Sequence, residues 1–210
     1  MATAPSPATD AQIRALLARY SCPVPFHAVR TRFLGAIASP DPTSAPIPVI
    51  EALWGGTLPE FDTPDAANEL LGALALGLWN RLTLHLKRSA PFRLTRIDVP
   101  ATREGLGRLA LVRLEELEGF GEGLFGANES LDLPAPAKKG IGVLAEIRAM
   151  ARATHEVALD LTKPGTLAEA AVTIKQFREI TRIAEAEMHR VVLSCTQMRR
   201  QMAPPRPVMH

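Results

Sequence analysis

The 210 residues carry a formal charge of +2, are 47% apolar and 22% charged, and include two cysteines. That balance excludes wholesale disorder, the cysteine count excludes a disulfide scaffold, and so small a charge makes no case for nucleic acid by itself. A chain of this length buries roughly 70% of its unfolded surface, enough for a core without metal or crosslinks.

Residues 1–8 are small and proline-rich and are expected to be disordered; Met1 to Pro7 has neither a basic stretch nor an apolar run, so it does not read as a signal peptide. Thr9 or Asp10 caps a first helix whose stripe is Ile13, Leu16, Leu17 and Tyr20. Pro23 and Pro25 break it. A second helix spans about 26–38, with Phe26, Val29, Phe33 and Ile37 on one face. A proline-rich loop leads to a short helix from about Val49 to Trp54, ended by Gly55-Gly56.

Thr63 caps the next helix, with Pro64 at its first position. It is apolar nearly all round as far as Lys87, and such a helix belongs at the centre of a bundle. Its apolar run, Leu70 to Trp79, is too short for a membrane span of about twenty residues. Phe92 to Val99 alternates loosely and can be extended. From Thr102 a helical pattern returns; a strand at Leu109 to Leu114 competes, but the helical period continues past Leu117. Further helices are expected at about 138–158 and 166–200. Cys195 falls on the apolar stripe of the last one, and Met188 drifts off it. The end, Ala203 to His210, reads as a flexible tail.

About seven helices with mostly short connections predict an irregular all-α bundle. It forms a single domain over 9–201, in halves 9–91 and 92–201, with a tail at 202–210.

Reactive constellations are missing. Gly121-Glu-Gly123-Leu-Phe-Gly126 spells a dinucleotide fingerprint, but it ends a helical pattern instead of linking a strand to a helix. Close helix packing is the expected use of those glycines. His85, His155 and His189 lack the Glu-x-x-His spacing of a di-iron bundle; Glu185 and His189 read as an exposed helix pair. No Cys-x-x-Cys motif and no nucleophile elbow occurs. Glu115-Glu116 reads as a solvated face. No catalytic residue, metal or cofactor is therefore expected. The last helix mixes Lys and Arg with Glu, a salt-bridged surface, so nucleic acid is not expected as a partner.

One stretch is more specific: Phe33-Leu-Gly-Ala-Ile-Ala-Ser-Pro40, then Ile50-Glu-Ala-Leu-Trp-Gly-Gly56, Leu58-Pro-Glu-Phe61, Leu70-Leu-Gly-Ala-Leu74 and Trp79-Asn80. Together with Gly119-Phe-Gly-Glu-Gly123 it resembles the YecA/YgfB family of bacterial all-helical proteins, over roughly residues 26–126. The resemblance implies a compact helical fold, usually without assigned enzymatic activity. Phe33, Gly119, Phe120 and Gly123 are then packing residues. Arg32 stands where the family often has glycine, so close packing is not carried over to that point. The cysteine-rich zinc tail of many members is replaced by Pro-Pro-Arg-Pro-Val-Met-His.

A bacterial cytoplasmic, non-enzymatic interaction or regulatory module is the leading expectation. Its partner groove would be built from Trp54, Gly55, Gly56, Pro59, Phe61, Trp79 and Asn80. The rival is an enzyme or small-ligand binder with a pocket between the halves, near Trp79, Asn80 and His85. A homodimer through the last helix is a further expectation.

Overall fold

Local chemistry sets the helix boundaries in the computed structural model, which describes residues 8–41, 43–128, 130–160, 162 and 167–202. Thr9 caps α1 (Asp10–Arg19): its hydroxyl accepts the Gln12 amide, and the Gln12 side chain accepts the Thr9 amide in return. Pro25 precedes α2 (Phe26–Ala38). Next comes α3 (Pro46–Glu51), which tightens into a 3-10 turn at Ala52–Trp54. It starts earlier than the sequence suggests, because amides in a first helical turn have no partner within the helix and prolines there give up nothing. Gly55 and Gly56, with φ of 80° and 107°, end it in the left-handed region.

Thr63 caps α4 (Pro64–Leu71) as the sequence predicts, its hydroxyl accepting the Ala66 amide. The continuation is not a uniform helix. It slips into π geometry over Gly72–Trp79, makes one α turn at α5 (Asn80–Leu82), and closes as a 3-10 turn at Thr83–Leu86. Nor does it occupy the centre. Leu70, Leu74, Leu78 and Leu82 face the core, whereas Leu76 and Leu84 stand in solvent.

The centre belongs to α2 and α6 (Arg103–Phe125), the most heavily packed pair of helices. α6 is helical through Leu109–Leu114, and Thr102 caps it by accepting the Gly105 amide at 3.0 Å. The two helices cross almost in backbone contact. A Cβ added at Gly119 would sit 2.6 Å from the Ala28 carbonyl oxygen. At Gly35 and Gly123 it would overlap the carbonyl oxygens of Phe120 and Arg32. Phe33 and Phe120 are fully buried. Of the fingerprint-like glycines, Gly123 admits α2, Gly126 ends α6 at a φ of 57°, and Gly121 faces open space. Arg32 does not loosen the crossing: its carbonyl meets Gly123, while its largely buried side chain pairs with Glu122 and donates to the Ala52 carbonyl at 3.3 Å.

α7 (Ala135–Leu159) and α8 (Leu167–Met202) pack on each other and on α6. At 36 residues, α8 is about 54 Å long. Met188 does not leave its buried face; it is enclosed with Ala184, Val191 and Cys195, because the face is wider than one ridge of side chains. One hydrophobic cluster draws on helices from α1 to α8 and so joins the two expected halves. A smaller one gathers Val99, Leu109, Leu114, Ala151, Ile174 and Phe177. The described residues form an all-helical bundle and contain no β-strand. Residues 1–7 and 203–210 lie outside them. Ala8 packs against the core and Met202 is still helical, so both differ from the flexible ends expected there.

Candidate functional site

The aromatic residues of the expected groove are drawn toward the core. The Trp54 indole donates to the Tyr20 carbonyl at 2.8 Å, and the Phe61 ring meets Tyr20 edge-on at 5.2 Å. Trp54 and Phe61 are therefore brought together around one residue, with half-buried Pro59 nearby in the chain. Trp79 goes elsewhere, edge-on to Phe33 at 5.6 Å. Gly55 and Gly56 are exposed and serve the turn. Asn80 is exposed as well, and its carbonyl accepts the Thr83 hydroxyl at 2.6 Å. His85 donates from Nδ1 to the Ala90 carbonyl at 2.9 Å and lies edge-on to Phe92. Trp79, Asn80 and His85 thus look to separate neighbours.

The convergent polar cluster lies where the sequence points to solvent. Residues 91–100 form an extended strap between the first helical segments and α6, with Phe92, Leu94 and Val99 buried. An extended segment with no strand beside it must find other partners for its amides and carbonyls. Side chains from three helices supply them. Glu116 of α6 accepts the Thr95 amide at 2.7 Å, and Arg113 donates to the Thr95 carbonyl. Glu185 of α8 accepts the Leu94 amide at 3.0 Å and pairs with Arg93 at 2.6 Å. Arg30 of α2 reaches the Arg93 carbonyl and the Thr95 hydroxyl, and its guanidinium lies 4.8 Å from the Phe92 ring centre.

Arg113 and Glu116, only 5% and 0% exposed, are paired with each other. Arg113 also donates to the Thr181 hydroxyl at 3.1 Å. Burial pushes the Glu116 carboxyl up, against the pull of Arg113 and the Thr95 amide. Glu115 is likewise not simply solvated, since it binds His27 Nε2 at 2.6 Å. Glu185 and His189 are not an exposed pair: Glu185 holds the strap, and His189 Nδ1 is buried without a partner. A signal was available. Leu109, Arg113, Glu116 and Phe120 follow one helical ridge, so the two charges fall on the apolar face.

This cluster is a clasp whose donors and acceptors hold the strap. The thiols are quiet. Burial pushes Cys195 up to about 11, and it also raises half-buried Cys22. Among the described residues no group of three or more His, Cys, Asp or Glu side chains is placed to hold a metal. No helix among them is long and apolar enough to cross a membrane.

Surface clefts remain. One, of about 610 Å³, runs between α1 and the π-helical stretch; Ala15, Leu16, Ala73 and Leu76 line it, and the Arg19–Glu69 pair, at 3.0 Å, stands at its rim. A second, of about 650 Å³, lies beside the strap and is rich in arginine, but Arg93, Arg113, Arg178 and Arg182 are each paired with a carboxylate. A third, of about 470 Å³, lies between α6 and α7. No family model, curated protein or solved structure matches the chain.

Proposed function

We propose that the chain is a non-enzymatic protein-interaction module, and that it takes the apolar face of an amphipathic partner helix into the groove between α1 and the Gly72–Trp79 stretch. The observation that carries this reading is Leu76. It is 72% exposed, yet it sits inside a π-helical segment whose other leucines, Leu74 and Leu78, are in the core. π turns are rare, hold less favourable geometry than an α-helix, and concentrate at working sites. Here the slip turns one large apolar side chain out to solvent beside a ready-made cleft. The rim charges, Arg19 and Glu69, neutralise each other, so the groove favours an apolar face over a charged one.

Two further points favour the reading. The buried charged groups of the clasp are committed to the fold. The resemblance of residues 26–126 to the YecA/YgfB family points to helical proteins usually without assigned enzymatic activity. Trp54, Phe61 and Trp79 act in this reading as the packed support behind the contact surface, and Trp79 closes the same π segment.

A photo-crosslinking residue at position 76 tests this, with position 183 on the outer face of α8 as control. The expected result is one dominant adduct from position 76 that is lost on Ala15→Glu, with the melting temperature unchanged. Equal adducts from position 183, no adduct at all, or an adduct only with a second copy of this chain would refute it.

A further inference from the structure

A fourth cleft, of about 320 Å³, opens between the end of the Thr83–Leu86 turn and the C-terminal part of α8. Lys87 and Arg88 come from one side, and Thr196, Gln197 and Arg200 from the other. Among the described residues its charge is of one sign: no carboxylate lines it, and none of the three cations is in an ion pair. In the larger arginine-rich cleft, by contrast, four of the five arginines have anionic partners and Glu185 stands in the lining.

The second observation is independent of charge. Thr196 is 4% exposed, and its hydroxyl is buried with no hydrogen-bond partner. A buried donor left idle is rare in a folded chain, and one at the wall of a cationic cleft points to a ligand that would use it. The donor set is two guanidinium forks, one ammonium, one hydroxyl and one carboxamide. That set suits a tetrahedral oxyanion with several oxygens to satisfy. A flat carboxylate would leave part of it unused.

We propose that this cleft binds a small phosphorylated molecule by its phosphoryl group, with Arg88, Arg200 and Lys87 meeting the charge and the Thr196 hydroxyl donating to one phosphoryl oxygen. The site is separate from the groove beside α1 and does not depend on it.

Pyrophosphate is the probe, titrated into the full-length protein at low ionic strength and followed by calorimetry. Saturable binding of one equivalent is expected. Arg200→Gln should weaken it about tenfold, the size of a lost charge-assisted hydrogen bond. Thr196→Val should weaken it by a similar factor while raising the melting temperature, because the substitution removes an idle buried hydroxyl and keeps the shape. A purely structural Thr196 gives the opposite thermal result and overturns the proposal. Arg182→Gln, in the other arginine-rich cleft, should leave binding unchanged; an equal loss there would mean diffuse charge attraction and would also overturn it. Displacement of pyrophosphate by lower concentrations of a short oligothymidylate, or by anionic phospholipid vesicles, would reassign the phosphoryl group to nucleic acid or membrane and refute the small-molecule assignment.

Discussion

Two glycines two residues apart in α6 are predicted to respond to the same substitution with opposite signs. Gly121→Ala adds a methyl where nothing lies within 4 Å. Only the backbone gain remains, so the variant should be more stable by about 0.5–1 kcal/mol, the usual advantage of alanine over glycine within a helix. Gly123→Ala places the same methyl on the Arg32 carbonyl oxygen of α2. Neither atom sits on a flexible side chain, so the helices themselves must part. At the neighbouring contact, Gly119, reaching an ordinary 3.4 Å from 2.6 Å already requires about 0.8 Å. Gly123 needs more. A gap of that size forfeits a quarter to a half of each dispersion contact across the crossing, where Val29, Phe33, Leu117, Phe120 and Leu124 are buried. Overpacking of this kind costs about 1–3 kcal/mol or more, and the alanine propensity returns less than about 1 kcal/mol of it. Gly123→Ala should therefore fall about 1–3 kcal/mol or more below Gly121→Ala, since the propensity gain is common to both, a large share of a stability of roughly 5–15 kcal/mol. Urea unfolding at a constant slope reads the difference directly as a shift in midpoint. If Gly123→Ala matched or exceeded Gly121→Ala, the crossing would not be held at backbone contact and the role given to these glycines would be wrong.

The clasp supplies two further tests. Glu185→Ala removes the acceptor of the Leu94 amide, so exchange of that amide should accelerate while amides in α2 keep their protection; unchanged exchange at Leu94 would show that Glu185 does not hold the strap. Glu116 gives a pH signature. Burial lifts its folded value above the ordinary 4.5, so the folded state keeps its proton more tightly than the unfolded chain. The stabilisation is complete below about 4.5 and is lost as pH rises through the higher folded value. Non-titrating Glu116→Gln should accordingly gain on the wild type as pH climbs from about 4 to neutrality. A wild type that gains instead would mean that attraction to Arg113 outweighs burial.

Local signals were legible in the sequence because their causes are local. Thr9, Thr63 and Thr102 each sit one residue before a helix and cap it within three residues. Gly119 and Gly123 announce close packing by their four-residue spacing, although the partner surface on α2 is named only by the fold. The π slip at Gly72–Trp79 had no such signal, since an unbroken apolar run is compatible with an even helix. The strap was partly legible, as alternation at Phe92 and Leu94, but its partners were not. Glu185 lies 91 residues from Leu94, and no periodicity links them.

Backbone satisfaction explains what the charge pattern concealed. Burying Phe92 and Leu94 in a segment that pairs with no strand leaves amides and carbonyls that an apolar neighbour would strand without partners. The bundle answers with ionised side chains, because a carboxylate takes an amide proton and a guanidinium meets a carbonyl with no second backbone beside them. That requirement places Glu116 and Arg113 on an otherwise apolar ridge, where the adjacent Glu115 disguises them as a solvated acidic pair. It also gives a rule for telling this molecule's structural charges from its available ones. Arg30, Arg113, Glu116 and Glu185 end on the strap and are spent. Lys87, Arg88 and Arg200 converge on a cleft with an idle hydroxyl in its wall and no carboxylate among the described residues that line it, and that unmatched charge is what a ligand would neutralise.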